Sequence, residues 1–182
     1  MEFQSSAFGL SRYRLLDIFF EEFLGRPPAC GEKDRLLSEF SEKCRAGYRG
    51  CAFTDGALYA LDVMKAAGLP MFVVSGSDES ELVEVLAARS VLGYFEGVYG
   101  SPTTKAENIG KVLALLAGRD LSPVFVGDAR ADFEASTASG CEFIYMGTWS
   151  ADDAGMQKLR QAHGFREISR LPDLLPAIEH LP

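Results

Sequence analysis

The chain has 182 residues, nearly half of them apolar, and a net charge of −8. That suits one domain, or one core with a small satellite, and allows a sizeable core. The acidic balance argues against a nucleic-acid or anionic-membrane surface, which needs clustered Lys and Arg, and no apolar run is long enough to span a bilayer. The four cysteines, Cys30, Cys44, Cys51 and Cys141, include no CxxC pair, and neither His163 nor His180 has a cysteine near it in sequence. No common zinc spacing results. Reduced thiols in a cytoplasmic protein are the expectation. Residues 1–6 lack a basic stretch followed by an apolar core, so no secretion signal is expected.

Taken in order, Tyr13, Leu16, Phe20 and Phe23 recur at helical spacing across 12–24, with Ser11 as a plausible cap. Gly25, Pro27 and Pro28 stop that helix. A second helix is expected from Glu32 to Arg45, making a helical hairpin with Gly47 and Gly50 at its exit. From residue 55 the pattern becomes an alternation of helix and strand. Asp55 is read as the cap of a helix closed by Gly68. Met71–Ser75 reads as a buried strand, and Gly76-Ser77 as a tight turn into a helix with Leu82, Val85 and Leu86 inward. A weak strand is expected near Gly97–Tyr99. Thr104 and Glu107 have capping-box spacing ahead of a helix with Ile109, Val112 and Leu116 inward. Strands at 124–126 and Glu142–Met146 flank a short helix ended by Gly140. A helix near 151–162, an extended Phe165–Ile168 and a last helix with Leu174, Leu175 and Ile178 complete the chain. Such alternation predicts an α/β fold with a parallel sheet covered on both faces.

The organising stretch is Pro123-Val124-Phe125-Val126-Gly127-Asp128-Ala129-Arg130-Ala131-Asp132-Phe133. The turn after a parallel strand is where open α/β sheets keep their ligands. Asp128 and Asp132, one helical turn apart, can converge there on a hard cation such as Mg²⁺. The plain alternative is a cap at Asp128 and a solvated acid at Asp132. Ser75, Gly76 and Ser77 offer a hydroxyl and free N–H groups as an anion cradle, or else an ordinary turn. Lys105 sits at a helix N-terminus, where the dipole disfavours a cation. It is either solvated or held by an anion, whether phosphate or carboxylate.

In this order the three sites resemble the haloacid dehalogenase-like hydrolase superfamily, over about residues 50–182. The resemblance implies that Ser75, with Gly76, grips a transferring phosphoryl group. It implies that Lys105 neutralises phosphoryl and carboxylate charge, and that Gly127, Asp128 and Asp132 form the Mg²⁺ turn. Ser75 and Lys105 would be catalytic, Ser75, Gly76 and Lys105 phosphate-binding, and Asp128 and Asp132 the metal ligands. Residues 8–28 look like part of a helical cap. Arg12 is either a contact for a substrate anion or, more simply, structural. The expected organisation is a cap remnant over 1–50 and a Rossmann-like α/β core over 51–182.

One departure dominates. The family opens on an apolar strand leading into Asp-x-Asp, with the first Asp as nucleophile and the second as general acid/base. No Asp-x-Asp occurs in these 182 residues. The resemblance therefore implies a phosphatase-type chain shortened at its N-terminus. It would lack its nucleophile and first strand, and would hold Mg²⁺ weakly or not at all. The same gap would arise if translation began upstream of Met1. The expected ligand is a small phosphorylated metabolite, such as a sugar phosphate, and neither nucleic acid nor membrane. The rival reading is a binding or assembly module whose open sheet edges are closed by a second copy or a complementing chain.

Overall fold

The structure is a computed structural model and describes residues 9–178. The expectations for the first eight residues and for His180 therefore lie outside the described residues. Helix α1 (Arg12–Ile18) is capped by Ser11, whose hydroxyl accepts from the Arg14 N–H at 3.3 Å. It runs into a π turn over Phe19–Phe23. The wider turn rotates the residues beyond it about the helix axis, so the expected stripe holds through Phe20, which is buried with Ile18, and fails at Phe23, which is 56% exposed. Helix α2 (Glu32–Gly50) passes the expected end at Arg45 and runs through Gly47. Its last turn is held from outside, because the Tyr48 hydroxyl meets Ser77 Oγ at 3.1 Å and the Tyr48 carbonyl accepts from Arg89 at 3.3 Å. Tertiary contacts of this kind outweigh the weak helix propensity of glycine.

Helix α3 (Ala57–Ala66) starts from Gly56 at φ 70°, not from an Asp55 cap. Asp55 instead faces Arg170 at 3.5 Å. A Cβ on Gly56 would stand 2.5 Å from Pro172 Cγ, so both space and backbone conformation require glycine there.

The alternation then runs as β1 (Phe72–Asp78), α4 (Glu79–Ala88), β2 (Gly97–Ser101), α5 (Lys105–Leu116), β3 (Val124–Gly127), α6 (Arg130–Ala138), β4 (Glu142–Met146), α7 (Asp153–His163) and β5 (Arg166–Ile168). A 3₁₀ turn over Leu171–Leu174 leads into α8 (Leu175–Ile178). The capping box at α5 is formed, and Ile109, Val112 and Leu116 are buried as the periodicity requires.

Every strand pair is parallel, but the strands fall into two sheets, β1–β2 and β3–β4–β5. Among the described residues, β1 and β3 each pair on one side only. A core of Ala60, Leu61, Met64 and Met71 lies on the α3 side, and one of Phe143, Tyr145 and Met156 lies against β4. Helix α5 bridges the halves: it packs on β1 and β2, and the Ser139 hydroxyl at the end of α6 donates to the Ala106 carbonyl at 3.2 Å.

Candidate active site

The candidate residues sit at the C-terminal ends of β1 and β3 and at the heads of α5 and α6. The β1–β2 register slips between Val74 and Asp78, so Ser75–Ser77 form an irregularity at the strand end. Such irregularities re-aim side chains. Here the Ser75 hydroxyl accepts from the Ser77 N–H at 3.1 Å. From β2, the buried Ser101 hydroxyl donates to the Gly76 carbonyl at 2.9 Å, fixing that peptide from behind.

This corrects the expected turn. Gly76-Ser77 does not open a helix; β1 continues to Asp78, which caps α4 by accepting from the N–H groups of Ser80 and Glu81 at 3.0 and 3.3 Å. The N–H groups of Ser80 and Glu81 at the α4 N-terminus are thus taken up by the protein's own carboxylate. On α4, Leu82, Val85 and Leu86 take the more covered face as expected, though only partly buried, and the one fully buried residue is Glu81.

At the heads of α5 and α6, Lys105 Nζ donates to Asp132 Oδ1 at 2.5 Å. The two side chains are only 13% and 8% exposed, so neither is the solvated charge that was the plain alternative. The partner that holds a cation at the head of α5 is a carboxylate. Asp132 Oδ2 accepts from the backbone N–H groups of Ala129 and Asp128 at 3.1 and 3.3 Å, closing the first turn of α6. Gly127 makes this approach feasible: a Cβ there would meet Asp132 Cβ at 2.5 Å. The Asp128 carboxyl is held above the ordinary carboxylate value, first by burial and then by the charge of Asp132, against the pull of Lys105.

The residue that sequence reasoning missed is Gly9. Its main chain lies between the two strand ends. A Cβ on Gly76 would stand 3.0 Å from the Gly9 carbonyl oxygen, and a Cβ on Gly9 would stand 2.7 Å from Ala129 Cβ and 3.4 Å from Lys105 Nζ. Gly9 has φ 84°, so glycine is needed for conformation as well as space. Ser75 and Gly76 therefore stand on one side of Gly9, and Lys105, Asp128 and Asp132 on the other. A lone Gly in an ordinary sequence context carries no signal of this role.

A model of haloacid dehalogenase-like hydrolases matches residues 7–146. The chain belongs to that family. It is 29% identical over 116 residues to a phosphoglycolate phosphatase of Shigella boydii, an alignment that takes in 61% of this chain and 44% of that protein. The chain thus spans less than half the length of this curated relative. A haloacid dehalogenase-like hydrolase from Streptococcus pneumoniae has the same fold at a TM-score of 0.64 and 15% identity, covering 88% of this chain and 76% of that one. The protein tyrosine kinase A of Mycobacterium tuberculosis is also similar in fold, with a TM-score of 0.62 and 18% identity, covering 89% of this chain and 81% of that one. At such identities the likeness concerns fold alone.

The family's magnesium does not fit the described residues by themselves. Both Asp132 oxygens are engaged, one by Lys105 and one by two peptide N–H groups. That leaves Asp128 as the carboxylate open to a cation, whereas Mg²⁺ requires about six oxygens in near-octahedral order. Among the described residues no group of three or more His, Cys, Asp or Glu is placed to hold a metal. Arg12 is no substrate contact either: it is 4% exposed and paired with Glu81.

Proposed function

We propose that the site is a phosphoryl-binding pocket of the phosphatase type, fitted to a small phosphate monoester, and that the 182-residue chain does not turn such an ester over. The observation that carries this reading is the enclosure of Lys105 and Asp132 beside Gly9, opposite Gly76. Lys105 supplies positive charge where a phosphoryl oxygen would lie, and Ser75 offers a hydroxyl proton to it. No carboxylate other than Asp128 and Asp132 is contributed by the β3 turn, and Asp132 is committed to positioning Lys105. Among the described residues no activated nucleophile faces the pocket, and the covalent route of the family has no first step from them. Among the described residues no helix is long and apolar enough to cross a membrane.

Titration with orthophosphate, followed by amide NMR, tests the reading. The expected result is saturable shifts at Gly76, Ser77 and Ala129 that Lys105→Met abolishes. Shifts that are absent, or unchanged in Lys105→Met, contradict it. A second reading, an assembly module, is favoured by the one-sided pairing of β1 and β3 among the described residues. Parallel addition of a strand from another chain would satisfy both edges. Light scattering on the same samples decides it: a dimer growing with concentration supports assembly, and a monomer throughout removes it.

A further inference from the structure

The hairpin α1–α2 belongs to neither apolar core, since among the described residues none of Arg12–Gly50 joins the clusters around Met64 or Tyr145. Ile18 and Phe20 of the hairpin are nonetheless buried, and what ties it to α4 and the end of β1 is a set of polar groups. The Arg12 guanidinium donates twice to the Glu81 carboxylate of α4, NH1 to Oε1 and NH2 to Oε2, each at 2.7 Å. NH1 also donates to Ser41 Oγ of α2 at 2.5 Å, and Arg45 of α2 approaches Glu81 Oε1 at 3.6 Å. Arg12 and Glu81 are 4% and 3% exposed, and the Arg12 Nε is buried without an acceptor among the described residues. Around this pair, the Tyr13 hydroxyl donates to Asp78 Oδ2 at 3.0 Å and the Tyr48 hydroxyl meets Ser77 Oγ at 3.1 Å. These contacts seat the hairpin on the end of β1, directly after Ser75 and Gly76.

We propose that the Arg12–Glu81 pair is a clasp that holds the hairpin closed over the β1 end, and that the hairpin opens as a unit when the clasp is broken. A buried ion pair loses its balance abruptly when one partner is removed, because the other charge is left without compensation inside the protein. The orphaned Nε marks a pair held by its surroundings and not fully satisfied by them, so water or an anion gains most by entering there. Arg12 and Glu81 are 69 residues apart in sequence. They therefore join two elements that the backbone alone leaves free to separate. The inference concerns movement of the hairpin and holds whether or not the pocket binds phosphate.

The protein carries its own reporters. Cys44 lies on α2, is half-buried, and stands three residues along the helix from Ser41, which accepts from Arg12. Cys141 is also half-buried but belongs to the β3–β4 side, with its thiol donating to the Pro123 carbonyl at 3.3 Å. Alkylation by iodoacetamide, read at each cysteine by mass spectrometry, separates hairpin opening from global unfolding. In Glu81→Gln, Cys44 should react faster by roughly two to three orders of magnitude, the scale expected when a buried pair is broken, with Cys141 unchanged. In the double variant Arg12→Met with Glu81→Leu, apolar groups replace the pair and Cys44 should return to the parent rate. The clasp is overturned if Glu81→Gln leaves Cys44 at the parent rate, or if Cys44 and Cys141 accelerate together.

Discussion

Asp132→Ala is expected to destabilise the fold by about 3–5 kcal/mol, the range for removing one partner of a buried ion pair. The substitution leaves the Lys105 ammonium, 13% exposed, without its carboxylate. It also deprives the N–H groups of Asp128 and Ala129 of their acceptor at the first turn of α6. Domains of this size are stable by only about 5–15 kcal/mol, so the loss should be plain in a urea midpoint. Asp132→Asn keeps an acceptor for the two N–H groups and should cost less, though Lys105 remains unpaired in charge. The double variant Asp132→Ala with Lys105→Met should recover much of the loss, because the stranded charge is gone. A change below about 1 kcal/mol for Asp132→Ala, the level of an exposed pair, would contradict this picture of the pair.

The second large effect falls on Gly127→Ala. Its Cβ would stand 2.5 Å from Asp132 Cβ, 2.6 Å from Cγ and 2.7 Å from Oδ2. Asp132 must therefore move, and with it the contact to Lys105. Overpacking alone costs about 1–3 kcal/mol, and part of the ion-pair term is lost in addition. Gly110→Ala is the matching control, because nothing lies within 4 Å of its Cβ position and it sits inside α5. It should stabilise the protein by about 0.5–1 kcal/mol through helix propensity. Opposite signs in the two urea midpoints are the expected result, and orthophosphate binding should be lost only in Gly127→Ala.

These residues also show how much of the fold is legible in sequence. The Thr104–Glu107 box, the α5 stripe and the bounds of β4 are local patterns, and the structure has each where periodicity and capping put it. Lys105 and Asp132 are legible as members of ordered motifs. Their direct pairing spans 27 residues and depends on how α5 and α6 pack. The course of β1 past Ser75 to Asp78 is not legible, because Gly76-Ser77 has turn composition and only pairing with β2 draws it into the strand. The Arg12–Glu81 pair is hidden for the same reason: an arginine and a glutamate on two helices look solvated until the helices meet. The start of α3 looks like an Asp55 cap in sequence, whereas Pro172, far along the chain, sets the space at Gly56. Gly9 gives no sign of its place between the strand ends.

The proposal of a phosphoryl pocket without an attacking group is tested most directly by single-turnover kinetics. The 182-residue chain, in excess over a small phosphate monoester and with Mg²⁺ present, should release no phosphate and form no phosphoenzyme. Phosphate release that requires Mg²⁺ and disappears in Asp128→Asn, or a phosphorylated aspartate found by mass spectrometry, would contradict that assignment.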